Sequence, residues 1–397
     1  SASHYLPFDG TGKKYELGIC KSPVRTGNGY SFVQITDTET SLYGDWIDNL
    51  KEYVKTNPTA FIIHTGDICY EAHQDFHGRY LRSEDLGVPT YYCVGNHDLR
   101  AGRYGEELWQ SHFGPSWYSF DVGNVHYVVT PMLGGDHAPS YRRADIIRWL
   151  KNDLAQINRD KRVVLFNHDL WFWGDDLLFK DKNGEQIDFA DYNLDAMIYG
   201  HWHNHYYKQL KSGLQTYCSS TPDKGGIDHG TSCFRIYHAD TKGKLSSETR
   251  YTYIDGILTS AYPAEGEIVS VSDGKMTVRI NAYRTVSYAK KVTASVERNG
   301  KVMSSVTLLP ETDWEWSGTV RVSDGKQRLL VTAEFEDGTR LTKRVDYTVT
   351  GQPAASAVAS AIWAELRGNA AHNQLVNDTV SLPLQTNWVR NAGSNIY

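Results

Sequence analysis

Short apolar runs alternate with stretches of helical periodicity over roughly the first two thirds of the chain. The apolar runs predict strands at 32–37, 60–67, 89–94, 163–166, 196–199 and 216–219. The periodic stretches predict one helix over 41–55 and another where Ile146, Ile147, Leu150, Leu154 and Ile157 recur at helical spacing. Apolar strands that alternate with helices are typical of a layered α/β core.

The pattern changes near Tyr262-Pro263. From there to about Thr350, apolar and polar residues alternate in short runs, and Asn299-Gly300 and Asp337-Gly338 lie between runs where two-residue hairpin turns are favoured. This pattern predicts a small antiparallel β-sandwich of roughly 90 residues. We therefore expect an N-terminal extension at 1–29, an α/β domain at 30–257, a β-sandwich at 258–350, and a linker and C-terminal tail at 351–397 that would begin a further domain.

Composition and charge narrow the class of protein. Hydrophobic residues make up 40% and charged residues 22% of the 397 positions, as in soluble globular proteins. The formal charge of −6 argues against a nucleic-acid partner, because a binder of phosphate backbones normally carries a basic face. No apolar run approaches the roughly 18 residues that a transmembrane segment needs. The five cysteines are too scattered to predict a disulfide framework.

Polar side chains follow five of the predicted strands. They are Asp37, Gly66-Asp67, Gly95-Asn96-His97-Asp98, His168 and Gly200-His201-Trp202-His203. Asp37, Asp67 and Asn96 are each about one strand–helix–strand repeat apart, so we expect them at one carboxyl edge of a sheet, where open α/β sheets bind ligands. Because 239–371 contains no His or Cys, the predicted sandwich is not expected to supply the chemistry.

Carboxylate, amide and imidazole groups without thiolates suit ions such as Mn, Fe or Zn. Two ions would need a shared anionic bridge, and the central Asp67 could provide it. Two ions about 3.5–4 Å apart lower the pKa of a water molecule and stabilise the in-line displacement of a phosphoryl group. The sequence therefore predicts a site for two metal ions.

The five motifs, in this order, resemble those of the calcineurin-like metallophosphoesterase superfamily, D-x-H, G-D, G-N-H-[D/E], H and G-H-x-H. The resemblance covers roughly residues 30–255 and implies a layered β-sandwich core flanked by helices. It implies one metal held by Asp37, Asp67 and His203, and a second held by Asp67, Asn96, His168 and His201. His97 would be the histidine that protonates the leaving oxygen or stabilises transition-state charge, and Asp98 would orient its imidazole.

The first motif departs from the family pattern, because Glu39 stands where His is usual. Either Glu39 binds metal through its carboxylate, or Tyr70 takes over, since Gly66-Asp67-Ile68-Cys69-Tyr70 resembles the G-D-x-x-Y motif with which purple acid phosphatases bind Fe(III). A third alternative is a weak or empty first position. A Tyr70 phenolate on Fe(III) would give a coloured protein.

Other side chains near the motifs have two interpretations each. Arg100 and His205 are candidates for substrate contact, and a surface guanidinium and a packed histidine are their alternatives. Trp171 and Trp173 either wall the pocket or pack inside it. Cys69 is expected to be a small core residue, and His77 a solvated loop residue.

The resulting hypothesis is a dinuclear-metal phosphoesterase that hydrolyses a phosphomonoester or a phosphodiester by attack of a metal-bound hydroxide. Its substrate would be a small phosphoester or an envelope phosphopolymer, and the acidic balance disfavours a nuclease. A protein with a degenerate site that binds glycans or envelope polymers is the alternative from another class. The layout of the family and the processed-looking start at Ser1 suggest an extracytoplasmic location. We expect the loops at 73–82, 133–140 and 171–188 to choose the substrate.

Overall fold

The structure, a computed structural model, describes residues 26–351. The expected tail after 351 and nearly all of the expected N-terminal extension lie outside this range. The chain divides into two compact units between Ile254 and Asp255. No helix among the described residues is long and apolar enough to cross a membrane.

The first unit contains two mixed β-sheets, a short hairpin and five α-helices. Its helices are α1 (Asp45–Thr56), α2 (Glu71–Tyr80), α3 (Ser83–Leu86), α4 (Glu107–Phe113) and α5 (Arg143–Leu154). Its strands are β1 (Tyr30–Ile35), β2 (Ile62–His64), β3 (Thr90–Tyr92), β4 (Tyr118–Val122), β5 (Val125–Val129), β6 (Arg162–Phe166), β7 (Leu178–Lys180), β8 (Gln186–Asp188), β9 (Leu194–Tyr199), β10 (Tyr206–Gln209), β11 (Gln215–Cys218), β12 (Cys233–Ala239) and β13 (Leu245–Tyr251).

The two large sheets pack face to face. One has the strand order β13-β12-β1-β2-β3 and the other β10-β11-β9-β6-β5-β4. Phe32 and Phe61 from the first sheet and Phe166 and Ile198 from the second belong to the same buried cluster. The ring of Phe32 stacks on that of Phe61, with their centroids 4.5 Å apart. Strands β1, β2 and β3 run parallel, as do β5, β6, β9 and β11, so their carboxyl ends lie at common edges.

Helix α5 covers the outer face of the second sheet. Its residues Ile146, Ile147, Leu150 and Leu154 are buried in one cluster with Leu165 and Met197 of that sheet. The predicted layered β-sandwich core with flanking helices is therefore confirmed. The helix begins three residues before the first periodic Ile and ends before Ile157, which packs against the cluster from outside the helix.

The second unit consists of β-strands only. They are β14 (Ile257–Tyr262), β15 (Ile268–Ser270), β16 (Lys275–Tyr283), β17 (Ala289–Arg298), β18 (Lys301–Thr307), β19 (Leu309–Pro310), β20 (Glu315–Arg321), β21 (Gly325–Phe335) and β22 (Arg340–Thr350). They form two sheets, β14-β16-β20-β19 and β15-β22-β21-β17-β18, and every second residue from Met276 to Ile280 is buried. Asn299 and Gly300 turn between β17 and β18 with φ of 49° and 75°, as the hairpin prediction requires. The small all-β domain is confirmed.

Candidate metal centre

The candidate metal ligands leave the ends of strands in both large sheets. Asp37 follows β1, Asp67 follows β2 and Asn96 follows β3, whereas His168 follows β6 and the histidine pair His201 and His203 follows β9. Because the two sheets pack face to face with these strand ends at one edge, groups from both sheets converge there. The structure brings all six side chains to this edge.

Four of these residues adopt left-handed backbone conformations that non-glycine residues rarely occupy. The φ angles are 51° for Asp37, 54° for Asp67, 67° for His201 and 47° for His203. Each such residue costs of order 1–3 kcal/mol, and such strain persists where the surrounding structure fixes it, commonly at functional sites. The backbone therefore turns sharply at each of these four positions.

Two groups of candidate donor atoms share one carboxylate. One ligand atom each of Asp67, His168 and His201 lie within 4.8 Å of one another, and the same holds for Glu39, Asp67 and Cys69. The Nε2 atom of His168 lies 3.1 Å from Asp67 Oδ2, so His168 and the shared carboxylate face each other directly. The two donor groups are therefore neighbours, and Asp67 is common to both.

Asp37 and His203 adjoin the group that contains Glu39. The Nε2 atom of His203 lies 3.1 Å from Asp37 Oδ1 and 3.7 Å from Glu39 Oε1. Asp37 is fully buried and is fixed by hydrogen bonds to Oδ2 from the Thr36 hydroxyl, at 2.6 Å, and from the His201 backbone N–H, at 3.0 Å. Its Oδ1 is thereby directed towards the histidine.

The hydrogen bonds of His168 define which of its ring nitrogens can bind a metal. Its Nδ1 lies 2.8 Å from the backbone carbonyl of Thr65, and since a carbonyl only accepts, Nδ1 carries the hydrogen. The other nitrogen, Nε2, faces the carboxylates of Asp67 and Asp37, and it is the nitrogen that would offer a lone pair to a metal in place of a proton. A histidine that donates one N–H to a carbonyl and offers the other nitrogen is the usual arrangement of a metal ligand.

One buried polar atom at this edge, Oδ1 of Asn96, lacks a hydrogen-bond partner among the described residues. Leaving a buried polar atom unsatisfied costs about 1–3 kcal/mol, so native structures rarely tolerate it without a compensating ligand. The donor set and this unpaired amide oxygen fit a bound metal ion.

The electrostatics of the edge favour a cation. Burial disfavours the imidazolium of His168, but the carboxylates of Asp67 and Asp37 outweigh it and raise the pKa of His168 to about 10. Burial would raise the pKa of Asp67, but the charge of His168 and its hydrogen bond lower that pKa to about 2. The negative potential that draws a proton to His168 would equally attract a metal ion.

Asp98 has a different role from the one that the sequence suggested. Its Oδ2 accepts hydrogen bonds from the backbone N–H groups of Asp67, at 2.9 Å, and Gly95, at 2.8 Å, and its Oδ1 accepts one from Cys69, at 2.8 Å. Asp98 therefore clamps the two turns that carry Asp67 and Asn96, and the prediction that it orients the His97 ring is wrong. Burial and the nearby Asp67 raise the pKa of Asp98 to about 7.

Asp136 contacts the His97 ring instead, and sequence reasoning missed it. Its Oδ1 lies 3.0 Å from His97 Nδ1, and its Oδ2 accepts a hydrogen bond from Arg100 NH1 at 2.6 Å. A Cβ on the preceding Gly135 would lie 2.0 Å from the carbonyl oxygen of Asn96, so the chain can approach the metal edge here only with glycine. The Gly134-Gly135-Asp136 sequence was the available signal.

Glu39 and Tyr70 lie in different surroundings. The Glu39 carboxylate belongs to a donor group with Asp67 and forms an ion pair with Lys224 Nζ. Tyr70 is 49% exposed, and its ring packs under the Arg100 guanidinium, 4.9 Å from the ring centroid, and beside the His73 ring. Of the two candidates for the first position, Glu39 is the one with an atom among the donors.

The structure gives the surroundings of three further residues that the sequence analysis considered. His205 is engaged at both ring nitrogens, by Cys233 Sγ at 2.6 Å and by Arg235 NH2 at 3.1 Å, so the structure does not place it for substrate contact. Cys69 is buried as expected, yet its sulfur belongs to the Glu39 donor group. His77, expected in a solvated loop, is fully buried on α2.

Comparisons with known proteins found a similarity that lies within the first unit. Residues 30–205 match the family model described as calcineurin-like phosphoesterase. No curated protein matches the chain.

Several solved structures resemble parts of the chain at low identity. A dimetal phosphatase from Danio rerio is 13% identical, with 55% of this chain and 98% of that chain covered and a TM-score of 0.37. A purple acid phosphatase from yellow lupin (Lupinus luteus) seeds is 12% identical, with 71% and 54% covered and a TM-score of 0.39. The fibronectin(III)-like modules of Clostridium thermocellum CbhA are 16% identical, with 24% and 97% covered and a TM-score of 0.19.

Proposed function

We propose that the protein hydrolyses a phosphoester with two metal ions bound at the carboxyl edge of its two large sheets. The match of residues 30–205 to the calcineurin-like phosphoesterase model supports this proposal. The observation that carries this proposal is the pair of donor groups that share Asp67. When bound, two such ions activate water and bind the phosphoryl oxygens.

The first metal position would be held by Asp37, Glu39, Asp67 and His203, and the second by Asp67, Asn96, His168 and His201. The short distances of Asp67 and Asp37 to His168 and His203 support this assignment. Cys69 adds a sulfur beside the first position. A carboxylate in place of the usual first-motif histidine adds a negative charge, and Lys224 balances that charge from outside.

The protein groups around the metal edge would bind and protonate the substrate. Asp136 holds the Nδ1 side of His97, so the free Nε2 is the atom that would pass a proton to the leaving oxygen. The guanidinium of Arg100 faces the same carboxylate and lies against the Tyr70 ring. It would bind a phosphoryl oxygen at the mouth of the site.

Metal content, measured by elemental analysis together with activity on chromogenic mono- and diesters, tests the proposal. The purified metal-supplemented protein should contain about two metal ions per chain, and Asn96→Ala or His168→Ala should remove at least one ion and most of the activity. If the protein binds no metal and cleaves neither class of ester, the hydrolase proposal fails and the alternative of a binding protein with a degenerate site gains support. The preferred ester class separates phosphatase from phosphodiesterase.

A second comparison decides between Glu39 and Tyr70. Glu39→Ala should lower the metal content towards one ion per chain, whereas Tyr70→Phe should leave both the metal content and the visible spectrum unchanged. Glu71→Ala is the matched control, because Glu71 is an acidic residue near the mouth that pairs with Arg100 outside the donor groups. A visible absorption band that disappears in Tyr70→Phe would overturn the assignment of Glu39.

A further inference from the structure

Three aromatic rings lie in a row beside the metal edge. Trp202 stands between the candidate ligands His201 and His203, and its ring centroid lies 5.1 Å from that of Trp173 and 5.7 Å from that of Tyr206. Trp173 is 67% exposed and Tyr206 is 38% exposed. We call Trp173, Trp202 and Tyr206 the aromatic platform.

The inner ring of the platform is fixed in place. The indole N–H of Trp202 donates a hydrogen bond to Asp169 Oδ1 at 3.2 Å, and its ring meets that of the buried Tyr199 edge to face at 5.0 Å. Asp169 directly follows the candidate ligand His168, and its charge acts on His201. The platform is therefore connected to the candidate ligands in two ways. Asp169, which holds Trp202, follows His168, and Trp202 itself lies between His201 and His203.

The loop that carries Trp173 is also held. Asp175 Oδ1 accepts a hydrogen bond from the Lys211 backbone N–H at 2.6 Å, and Lys208 Nζ lies 3.5 Å from the Trp173 carbonyl oxygen. In the same loop, Trp171 stacks on Phe179 at 3.8 Å and 2°. Trp171 thus packs inside, whereas Trp173 presents the outer face of its ring on a loop that is held in position.

An exposed indole is costly to keep in water and is commonly found where a ligand covers it, since aromatic side chains dominate the energetics of binding surfaces. Here the exposed ring of Trp173 contacts Trp202, which stands between two candidate ligands, so the moiety esterified to the phosphate is the natural occupant. We propose that the platform binds a sugar ring, and hence that the substrates are sugar phosphates or phosphate esters within a glycan. This inference rests on the proposed phosphoesterase function.

The shape and polarity of the platform favour a sugar over a nucleobase. Trp173 and Trp202 are inclined by 33°, and Trp202 and Tyr206 by 60°, so the three rings form a bent wall and no parallel-sided slot that would sandwich a flat base. Asp169 and Tyr206, which both contact the Trp202 ring, carry polar groups that can pair with sugar hydroxyls. The C–H face of a pyranose stacks on one exposed aromatic ring, and its rim of hydroxyls needs such polar neighbours.

The decisive experiment compares kcat/KM of the metal-loaded full chain on glucose 6-phosphate, glucose 1-phosphate, adenosine 5′-monophosphate and glycerol 2-phosphate, which has no ring. Trp173→Ala should reduce the ratio of kcat/KM for a glucose phosphate to that for glycerol 2-phosphate by about tenfold. Trp173→Phe should restore most of the ratio because it keeps a flat ring, whereas Trp173→Leu should not. Tyr80→Ala is the control, because Tyr80 is an exposed aromatic residue (48%) on α2, outside the platform.

A second readout does not depend on turnover. Saturation-transfer NMR of glucose 6-phosphate with metal-free protein should show the strongest transfer at the C–H protons of the sugar ring, and Trp173→Ala should abolish it. An unchanged ratio together with unchanged transfer would overturn the sugar proposal, and a Trp173 effect confined to adenosine 5′-monophosphate would overturn it in favour of a nucleobase. If no ester is cleaved, the phosphoesterase proposal fails, and the NMR result still decides whether the platform binds sugar.

Discussion

At the scale of single residues, His97, the proposed proton donor, is held by Asp136, which lies on a different loop. If Asp136 acts on catalysis by holding the His97 ring, removing either side chain removes the same function. We expect His97→Ala to lower kcat by about 10²–10⁴-fold and Asp136→Ala by a smaller factor. The double variant should then be no worse than His97→Ala alone.

The comparison of single and double variants also tests a second role of Asp136, because this residue pairs with Arg100 as well. If Asp136 acts through Arg100 and not through His97, the losses of the two single variants will multiply in the double variant. In that case Asp136→Ala should raise KM more than it lowers kcat.

Gly95 tests how closely the turns of the metal edge approach one another. A Cβ added to Gly95 would lie 2.2 Å from Asp67 Oδ1, so alanine there must displace the carboxylate shared by both donor groups. We expect Gly95→Ala to lose metal binding, measured by elemental analysis, and to lower activity by more than about 100-fold. Gly27→Ala, where a Cβ would meet nothing within 4 Å, should change neither, and a fully metallated Gly95→Ala protein would contradict the argument.

The candidate ligands could be predicted from the sequence because each directly follows an apolar strand. Asp136, Lys224 and Asp169 could not be assigned roles in the same way, because they lie on loops whose paths depend on packing between distant segments. Lys224 meets Glu39 across 185 positions of sequence, and Asp136 meets His97 across 39. Asp98 shows the reverse error, since its position in the motif suggested the neighbouring His97 as its partner, whereas its carboxylate accepts hydrogen bonds from three backbone N–H groups in two turns.

At the scale of elements, two buried histidines connect helix α2 to strand β2. His64 on β2 and His77 on α2 both contact the Thr38 hydroxyl, with Nε2 to Oγ1 distances of 3.1 Å and 3.0 Å. Burial is the largest cause that lowers the pKa of His64, to about 3, and it holds the pKa of His77 well below its usual value. Both rings are therefore neutral in the folded protein at neutral pH.

These depressed pKa values make the stability of the first unit depend on pH. In the unfolded chain both histidines take up protons near pH 6.5, so below this pH the unfolded state binds more protons than the folded state. Their contribution is fully present above pH 6.5 and is lost as the pH falls towards the folded pKa values. At pH 5 the loss for His64 is about 2 kcal/mol.

Urea unfolding of the metal-free protein between pH 7.5 and 5 measures this dependence without metal release. His77→Gln retains a side chain that can contact Thr38 but does not titrate, so its free energy of unfolding should fall less steeply with decreasing pH than that of the parent protein. Equal slopes for the variant and the parent would show that His77 is protonated in the folded state.

Element boundaries were predicted less well than element types. The strand expected at 60–67 extends only from Ile62 to His64, since the chain leaves β2 to form the turn at Gly66, where φ is 99°. Helix α2 was missed because its buried residues, which include Gln74 and His77, do not form an apolar stripe. Periodicity finds helices that bury apolar faces, whereas α2 buries Gln74, which donates a hydrogen bond to the Asp98 carbonyl, and His77, which contacts the Thr38 hydroxyl.

At the scale of the whole molecule, each unit has its own hydrophobic core. The cores of the first unit are built from its sheets and helices, and that of the second unit from strands β14 to β22 alone. The alternating pattern predicted the second core well, because in a sandwich the buried face of each strand is set by a period of two. The first unit combines strands, which have a period of two, with helices, which have a period of 3.6. Local sequence could not show that its two sheets pack against each other.

Separate cores predict two calorimetric unfolding transitions. Val292→Ala removes two methyl groups from a fully buried side chain of the second unit and should cost about 2 kcal/mol, which lowers the transition of that unit by roughly 10 °C. Val164→Ala makes the same change in the first unit and should lower only the other transition, by roughly 5 °C because that unit is larger. Addition of Mn or Zn should raise the unfolding temperature of the first unit and leave that of the second unit unchanged, since the candidate ligands all lie in the first unit. A single transition shifted by both variants would show that the two cores unfold together. The unit that carries the candidate ligands would then not unfold independently of the second unit.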